Sequence, residues 1–439
     1  MKTFSISIVL ALAGGLNAVA SESISAANAA PITPELIQRL VAEARTNHPA
    51  LRAAEARVAA AEWSTAAVRS WADPTFKFGG ATASSRGSNL REDGDLIYGL
   101  EQKLPLFGKP QLARRVAQAE AAMQRAETGF RAQQLRREIV AQLMKLALAG
   151  RQLEISRQDF ATLETMTATM EDKYRNGQAT QVELLQAQNE KSKRAARVAT
   201  EENLLPVERA ALNRLLVRPS ASPWPAFVLP PVAAPLSATP ELIRQGLALA
   251  PRLQVMRQSV QQAEAAAQLT RRQRVPDLTA GLEGRQYSGD GGFREGTFTL
   301  ALNLPWGNGG NYRKDLLRDE ARLDAARFDA ADFELSLRDE INRLSAQIAA
   351  ARREALLYRD EIIPRSEQAM ASAQANWLAN RGMFRDVLDA RRMWLEGQSM
   401  HARAVAEQHT MMAELILYCG LESLEKSSAQ PSAASPDKK

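Results

Sequence analysis

Two carboxylates near the end of the chain, Asp386 and Asp389, lie three residues apart in a stretch with helical periodicity, so they share one helix face. Carboxylates so placed attract cations, and several copies around one axis would resist closure unless paired. Arg381, Arg385, Arg391 and Arg392 surround them, so an ordinary solvated face laced with ion pairs fits the same residues. Nothing else has the spacing of a reaction centre. His48, His401 and His409 do not share ligand spacing, although the last two lie two turns apart on one helix. The 12 methionines are scattered and read as fillers of helix seams rather than a copper site. Cys419, the single cysteine, ends the apolar run MMAELILYCG and reads as a small buried residue. There is no nucleophile elbow and no phosphate-cradling glycine loop; Gly289 to Gly292 (GDGG) reads as a hairpin turn. The expectation is a protein that is not an enzyme, with no cofactor and no metal site.

The elements that would position the acid pair are long helices. DLIYGLEQKL (Asp95 to Leu104) alternates with the period of a strand, and LPLFGKP breaks it. Leu112, Val116, Ala119, Met123, Ala126 and Phe130 then step by four and three, a heptad seam that Ile139, Leu146, Leu153, Leu163 and Met170 continue. The seam runs to Tyr174–Gly177, about 65 residues or roughly 100 Å of helix. A second helix returns from Thr180 to about Arg218, with Val182, Leu185 and Ala196 expected inward. The pattern then recurs. EGTFTLALNLPW alternates again, and an unbroken helix is expected from about Asn311 to Ala379, followed by a last one from Phe384. TPELI stands at Thr33–Ile37 and at Thr239–Ile243, and Pro49, Pro74 and Glu138 match Pro251, Pro276 and Glu340 at one constant offset. The chain is a tandem duplication.

Composition fits this reading. Aromatic residues are only 5% and the net charge is +6, with acids and bases mixed along the helices. Nucleic-acid binding, which needs basic residues clustered on one element, is not expected. The N-terminus has Lys2, a short apolar run from Phe4 to Leu16, and Ala18-Val19-Ala20 as a cleavage site. The expected organisation is a signal peptide at 1–20, a first repeat at 21–218, a proline-rich linker at 219–238, a second repeat at 239–426 and a disordered tail at 427–439.

Each repeat carries a strand pair, near Pro74–Ala83 with Asp95–Leu104, and Asp277–Tyr287 with Glu295–Leu304. Ten-residue strands match a tilted bilayer crossing. Four cannot close a barrel, so the predicted fold class is mainly α with a small β part, in which several copies share one barrel above a helical sheath. Heptads alone would also suit a periplasmic coiled-coil adaptor or structural protein. Such a protein would be expected to carry compact β modules and a single hairpin rather than two.

YRNGQATQVELLQAQ (Tyr174 to Gln188) and WLANRGMFRDVLDAR (Trp377 to Arg391) resemble the two helix-tip motifs of the TolC-like outer-membrane efflux channels. EQKLPLFGK (Glu101 to Lys109) resembles the strand-to-helix junction of the branch serving metal-ion and related resistance-nodulation-division (RND) pumps. The resemblance covers about Pro31 to Gly420. It implies an outer-membrane homotrimer with a twelve-stranded barrel in lipid and a long periplasmic helical tunnel. It further implies a passive exit duct that works with a periplasmic adaptor and an RND-type inner-membrane pump. Carried over by position, Asp386, Asp389 and Glu183 fall on the acids of the periplasmic gate. Gly177, Trp377, Asn380 and Gly382 fall on the tips that meet the adaptor. The family often has tyrosine at Trp377 and a basic residue at Gly382, so the links that close the gate are expected to differ here.

Overall fold

The computed structural model describes residues 30–82, 94–105, 107–287 and 291–421. The expected signal peptide, the expected tail, most of the first inter-strand loop and part of the second lie outside the described residues.

Each repeat opens with two short helices. In the first, α1 (Pro34–Asn47) is capped by Thr33, whose hydroxyl accepts from Leu36 N at 3.3 Å, and α2 (Pro49–Ala67) by the His48 ring. Strands β2 (Thr75–Thr82) and β3 (Gly94–Leu104) follow the two-residue strand β1 (Ala30–Pro31) in chain order. The long α3 (Lys109–Arg175) has 67 residues, and α4 (Gln181–Leu216) returns along it. The second repeat gives α5 (Thr239–Leu249), α6 (Pro251–Gln273), β5 (Leu278–Tyr287), β6 (Phe293–Leu302), α7 (Gly309–Leu357), α8 (Ile363–Leu378) and α9 (Phe384–Cys419). The proline-rich linker contains β4 (Phe227–Val228), which pairs in parallel with β1.

The long helix expected from Asn311 to Ala379 is interrupted. Between α7 and α8 lies a π-helical turn, Tyr358–Ile362, closed by a bond from Ile363 N to Tyr358 O. Pro364 has no N–H to return to the Asp360 carbonyl, so an α turn cannot close there and the helix widens.

The two repeats build equivalent cores. Leu40, Leu51, Ile139, Leu143, Leu212 and Leu216 pack in one; Leu242, Leu253, Ile341, Leu344, Leu415 and Cys419 pack in the other. Each such buried leucine or isoleucine contributes about 1.5–3 kcal/mol. Burial also pushes the Cys419 thiol up to about 12, as an inert core residue requires. The linker straps the second core: Ala233 N donates to Gln408 Oε1 at 3.1 Å, and Arg352 Nε donates to Ala233 O at 3.1 Å. In α4 the sequence reading erred in phase. Val182, Leu185 and Ala196 are exposed, whereas Ala187, Leu212 and Leu216 are buried. The apolar row on the other side of α4 is exposed among the described residues.

The four long strands form one antiparallel sheet in the order β2-β3-β5-β6. Phe76, Leu100, Leu282 and Phe298 pair in a single row across all four strands, and each is at least half exposed. The opposite face carries Lys77 paired with Glu101, and Arg285 within 3.3 Å of Glu295. A sheet with an uncovered apolar face and a charged face is built for hydrocarbon on one side and water on the other. Among the described residues no helix is long and apolar enough to cross a membrane.

The sheet is fastened to the helices at LPLFGKP. Phe107 and Gly108 both have positive φ, 63° and 77°, which turns the chain sharply into α3. The Lys109 ammonium then donates to Val275 O at 2.6 Å and to Asp277 Oδ1 at 2.7 Å. One lysine of the first repeat thus holds the strand entry of the second.

Candidate functional site

The far ends of the helices form two hairpin tips. The first, between α3 and α4, turns at Gly177 with φ 71°. Gln178 N donates to Lys173 O at 2.7 Å, closing the end of α3. Thr180 caps α4: its hydroxyl accepts from Glu183 N at 3.3 Å, and Glu183 Oε2 accepts from Thr180 N at 2.8 Å. This is a complete capping box. The Glu183 carboxylate, placed at the gate by resemblance, is therefore occupied within its own turn.

The second tip, between α8 and α9, turns at Asn380 with φ 57°, a left-handed conformation that asparagine tolerates. Arg381 N donates to Asn376 O at 2.8 Å, the same closure as in the first tip. Gly382 lies close against the end of α8. A Cβ there would come within 3.1 Å of Asn376 Cβ. Met383 stands at the cap position of α9 and offers no side-chain hydrogen bond. Packing replaces the cap: Trp377 and Phe384 are 5% and 0% exposed, with ring centroids 5.4 Å apart, among Met166, Met170, Val387 and Leu388.

Asp386 and Asp389 both lie exposed on α9. Asp389 is 3.6 Å from Arg385 and from Arg392, and these are exposed pairs of small energetic weight. The two aspartates share one exposed face of α9, whereas Glu183 is held in the capping box of the other tip.

Two features had escaped the sequence reading. Arg391, assigned there to the solvated face, is only 2% exposed: its Nη2 donates to Asp159 Oδ2 at 2.8 Å, and Arg194 pairs with the same carboxylate. This buried cluster ties α3, α4 and α9 together. Its signal was Asp159 itself, a lone acid among Ile155, Ser156, Phe160 and Leu163 of the seam. The second feature is Lys173, whose ammonium reaches the other tip, donating to Trp377 O at 3.0 Å and to Asn380 Oδ1. A groove of about 390 Å³ beside the cluster is lined by Glu190, Arg197, Glu201 and Arg392, which pair among themselves.

Two of the three histidines are engaged elsewhere: His48 caps α2, and the His409 ring lies 2.9 Å from Pro231 O in the linker. Burial lowers the pKa of His401 and of His409, favouring the neutral ring.

No curated protein matches the chain in sequence. Among solved structures, the outer membrane protein VceC of Vibrio cholerae aligns at 20% identity with TM-score 0.74, over 88% of this chain and 96% of that one. The CmeC outer membrane channel of Campylobacter jejuni aligns at 15% identity and TM-score 0.72, over 95% and 94%. The open-state MtrE outer membrane channel of Neisseria gonorrhoeae aligns at 16% and 0.71, over 88% and 89%. The fold is thus that of these channels. The family model for outer membrane efflux protein matches residues 40–217 and again 242–421, once in each repeat. With the sheet's apolar face, the long helices and this match in both halves, the chain belongs to the outer membrane efflux protein family and is an export channel of the outer membrane.

Proposed function

We propose that three copies of the chain form the exit duct of a tripartite efflux system, with the hairpin tips as its periplasmic entrance. The observation that carries this is the four-stranded sheet, apolar on one face and unpaired at β2 and β6, continuous with helices about 100 Å long. Closing such a sheet requires further copies. The helix layer asks for the same: Val182, Leu185, Leu204 and Val207 are exposed along α4, and Leu317, Phe328 and Leu335 along α7. These rows lie on the two flanks of the chain, where a neighbouring copy would cover them.

In this reading the tips receive a periplasmic adaptor. An RND-type pump feeds the duct, as the Glu101–Lys109 junction supports. Cargo passes without chemistry. The entrance is ringed by Asp386 and Asp389, which favour cations.

The test is conductance of the purified trimer in planar bilayers. Wild type is expected to conduct little, prefer cations, and be blocked by multivalent cations from the tip side. Replacing Asp386 and Asp389 together by alanine removes most of the block and weakens the selectivity while trimers persist. Unchanged block and selectivity in a folded double variant would reduce the acids to a solvated face. A monodisperse monomer in mild detergent would remove the trimer.

A further inference from the structure

We propose that Lys173 is the latch that holds the second tip closed against the first, a positioning residue for the entrance. The proposal rests on the reading of the tips as the entrance, and its evidence is separate from the acids.

Lys173 lies in the last turn of α3, and both tips pass through it. Its backbone carbonyl accepts from Gln178 N at 2.7 Å and so closes the first tip. Its side chain crosses to the second tip, where the ammonium meets three acceptors: Trp377 O at 3.0 Å, Leu378 O at 3.5 Å and Asn380 Oδ1. An ammonium has three donors, so its capacity is filled. The two carbonyls belong to the last turn of α8, where no further turn of helix follows; Trp377 O also accepts from Asn380 N at 3.1 Å, so the ammonium adds a second bond to that oxygen. A cation is favoured there by the helix dipole as well. The ammonium also stands 5.1 Å from the centre of the Trp377 ring, within reach of a cation–π attraction.

Packing of Trp377 and Phe384 against Met166 and Met170 also joins the tips, but Lys173 is the polar link at the turn itself. Met383 gives α9 no cap, and Asn380 turns the chain without the freedom of glycine. The residue at the position of Lys173 in the second repeat is Asn376, so there is no reciprocal lysine reaching back. The latch is one-sided. It grips backbone oxygens, which substitution at Trp377 or Leu378 leaves in place. To move the second tip away from the first, an opening partner must break three hydrogen bonds at a single side chain, or supply that side chain with other acceptors.

The experiment uses the full-length trimer in planar bilayers. Lys173→Met keeps the apolar stem beside Trp377 and removes the ammonium. The expected result is a several-fold rise in resting conductance, with trimers intact on a native gel and multivalent-cation block still dependent on Asp386 and Asp389. Lys173→Arg, which retains charge and donors, should stay near wild type. Asn380→Gly keeps the left-handed turn and removes one acceptor. It should raise conductance less, and add nothing in the Lys173→Met background. A folded Lys173→Met trimer with wild-type resting conductance would overturn the latch, as would additive effects of the two substitutions. A wild-type channel already open and indifferent to the aspartates would instead defeat the reading of the entrance.

Discussion

The two hairpin tips occupy equivalent places in the two repeats and are held by different means. Tyr174, Gly177, Thr180 and Glu183 of the first correspond, at one constant spacing, to Trp377, Asn380, Met383 and Asp386 of the second. The first tip satisfies itself: glycine makes the turn, and Thr180 and Glu183 cap each other's backbone. In the second, the Met383 side chain cannot reciprocate, so Asp386 stands at the position of Glu183 with a backbone bond to the cap residue but no side-chain bond. Losing the cap is what leaves a free carboxylate at the tip. The stability withdrawn there is returned by a buried aromatic pair and by a lysine borrowed from the first repeat. A hairpin held from outside can be released from outside, whereas one that caps itself cannot.

The largest break in this comparison is Trp377→Ala, which empties the aromatic cluster at a cost of about 3–5 kcal/mol. Hydrogen exchange should show residues 384–391 losing protection while 174–183 keep theirs; equal loss at both tips would erase the difference. Next comes Asp159→Asn. It leaves the guanidiniums of Arg391 and Arg194 facing one another without their counter-charge, a loss of about 3 kcal/mol of stability read from urea unfolding of the trimer in detergent. The smallest effect is at the caps. Thr180→Ala should cost about 1 kcal/mol, while Met383→Ser, which installs a cap, should gain about 0.5 kcal/mol in the same measurement. A loss at Met383→Ser would mean that the second tip is not cap-deficient.

Much of this frame is legible in the residues. The repeated TPELI, the alternating strands and the heptads each have a short-range cause, so the hairpins, the sheet faces and the long helices follow from local pattern. The acid pair was legible as well, because a spacing of three residues is enough to place both on one face. What escaped is long-range. Lys173 meets its acceptors 204 or more residues away, and Arg391 meets Asp159 at a separation of 232. A charged side chain looks solvated until its partner is known. The outward row of α4 was misread because apolar residues lie on two faces of that helix, and only α3 decides which is inner. The pairing of β3 with β5, which makes one sheet of two hairpins, had no local signal either.

The wide turn at Tyr358–Ile362 has a consequence for how this region tolerates change. An ordinary helix advances its side chains by about 100° per residue, and one residue more or less rotates everything beyond it by that angle. Above the turn the packed stripe of the helix is Ile341, Ile348 and Ala355; below it, Ser366 and Trp377. The turn sets the rotational phase between these two stripes, like an indexing notch on a shaft. Removing any one residue of the five shifts that phase by about 100° and swings Trp377 away from Phe384, although no contacting side chain has been touched. Exchanging those residues for others leaves the phase intact. In this stretch the count of residues matters more than their identity, and a shift in number there is transmitted undiminished to the tip.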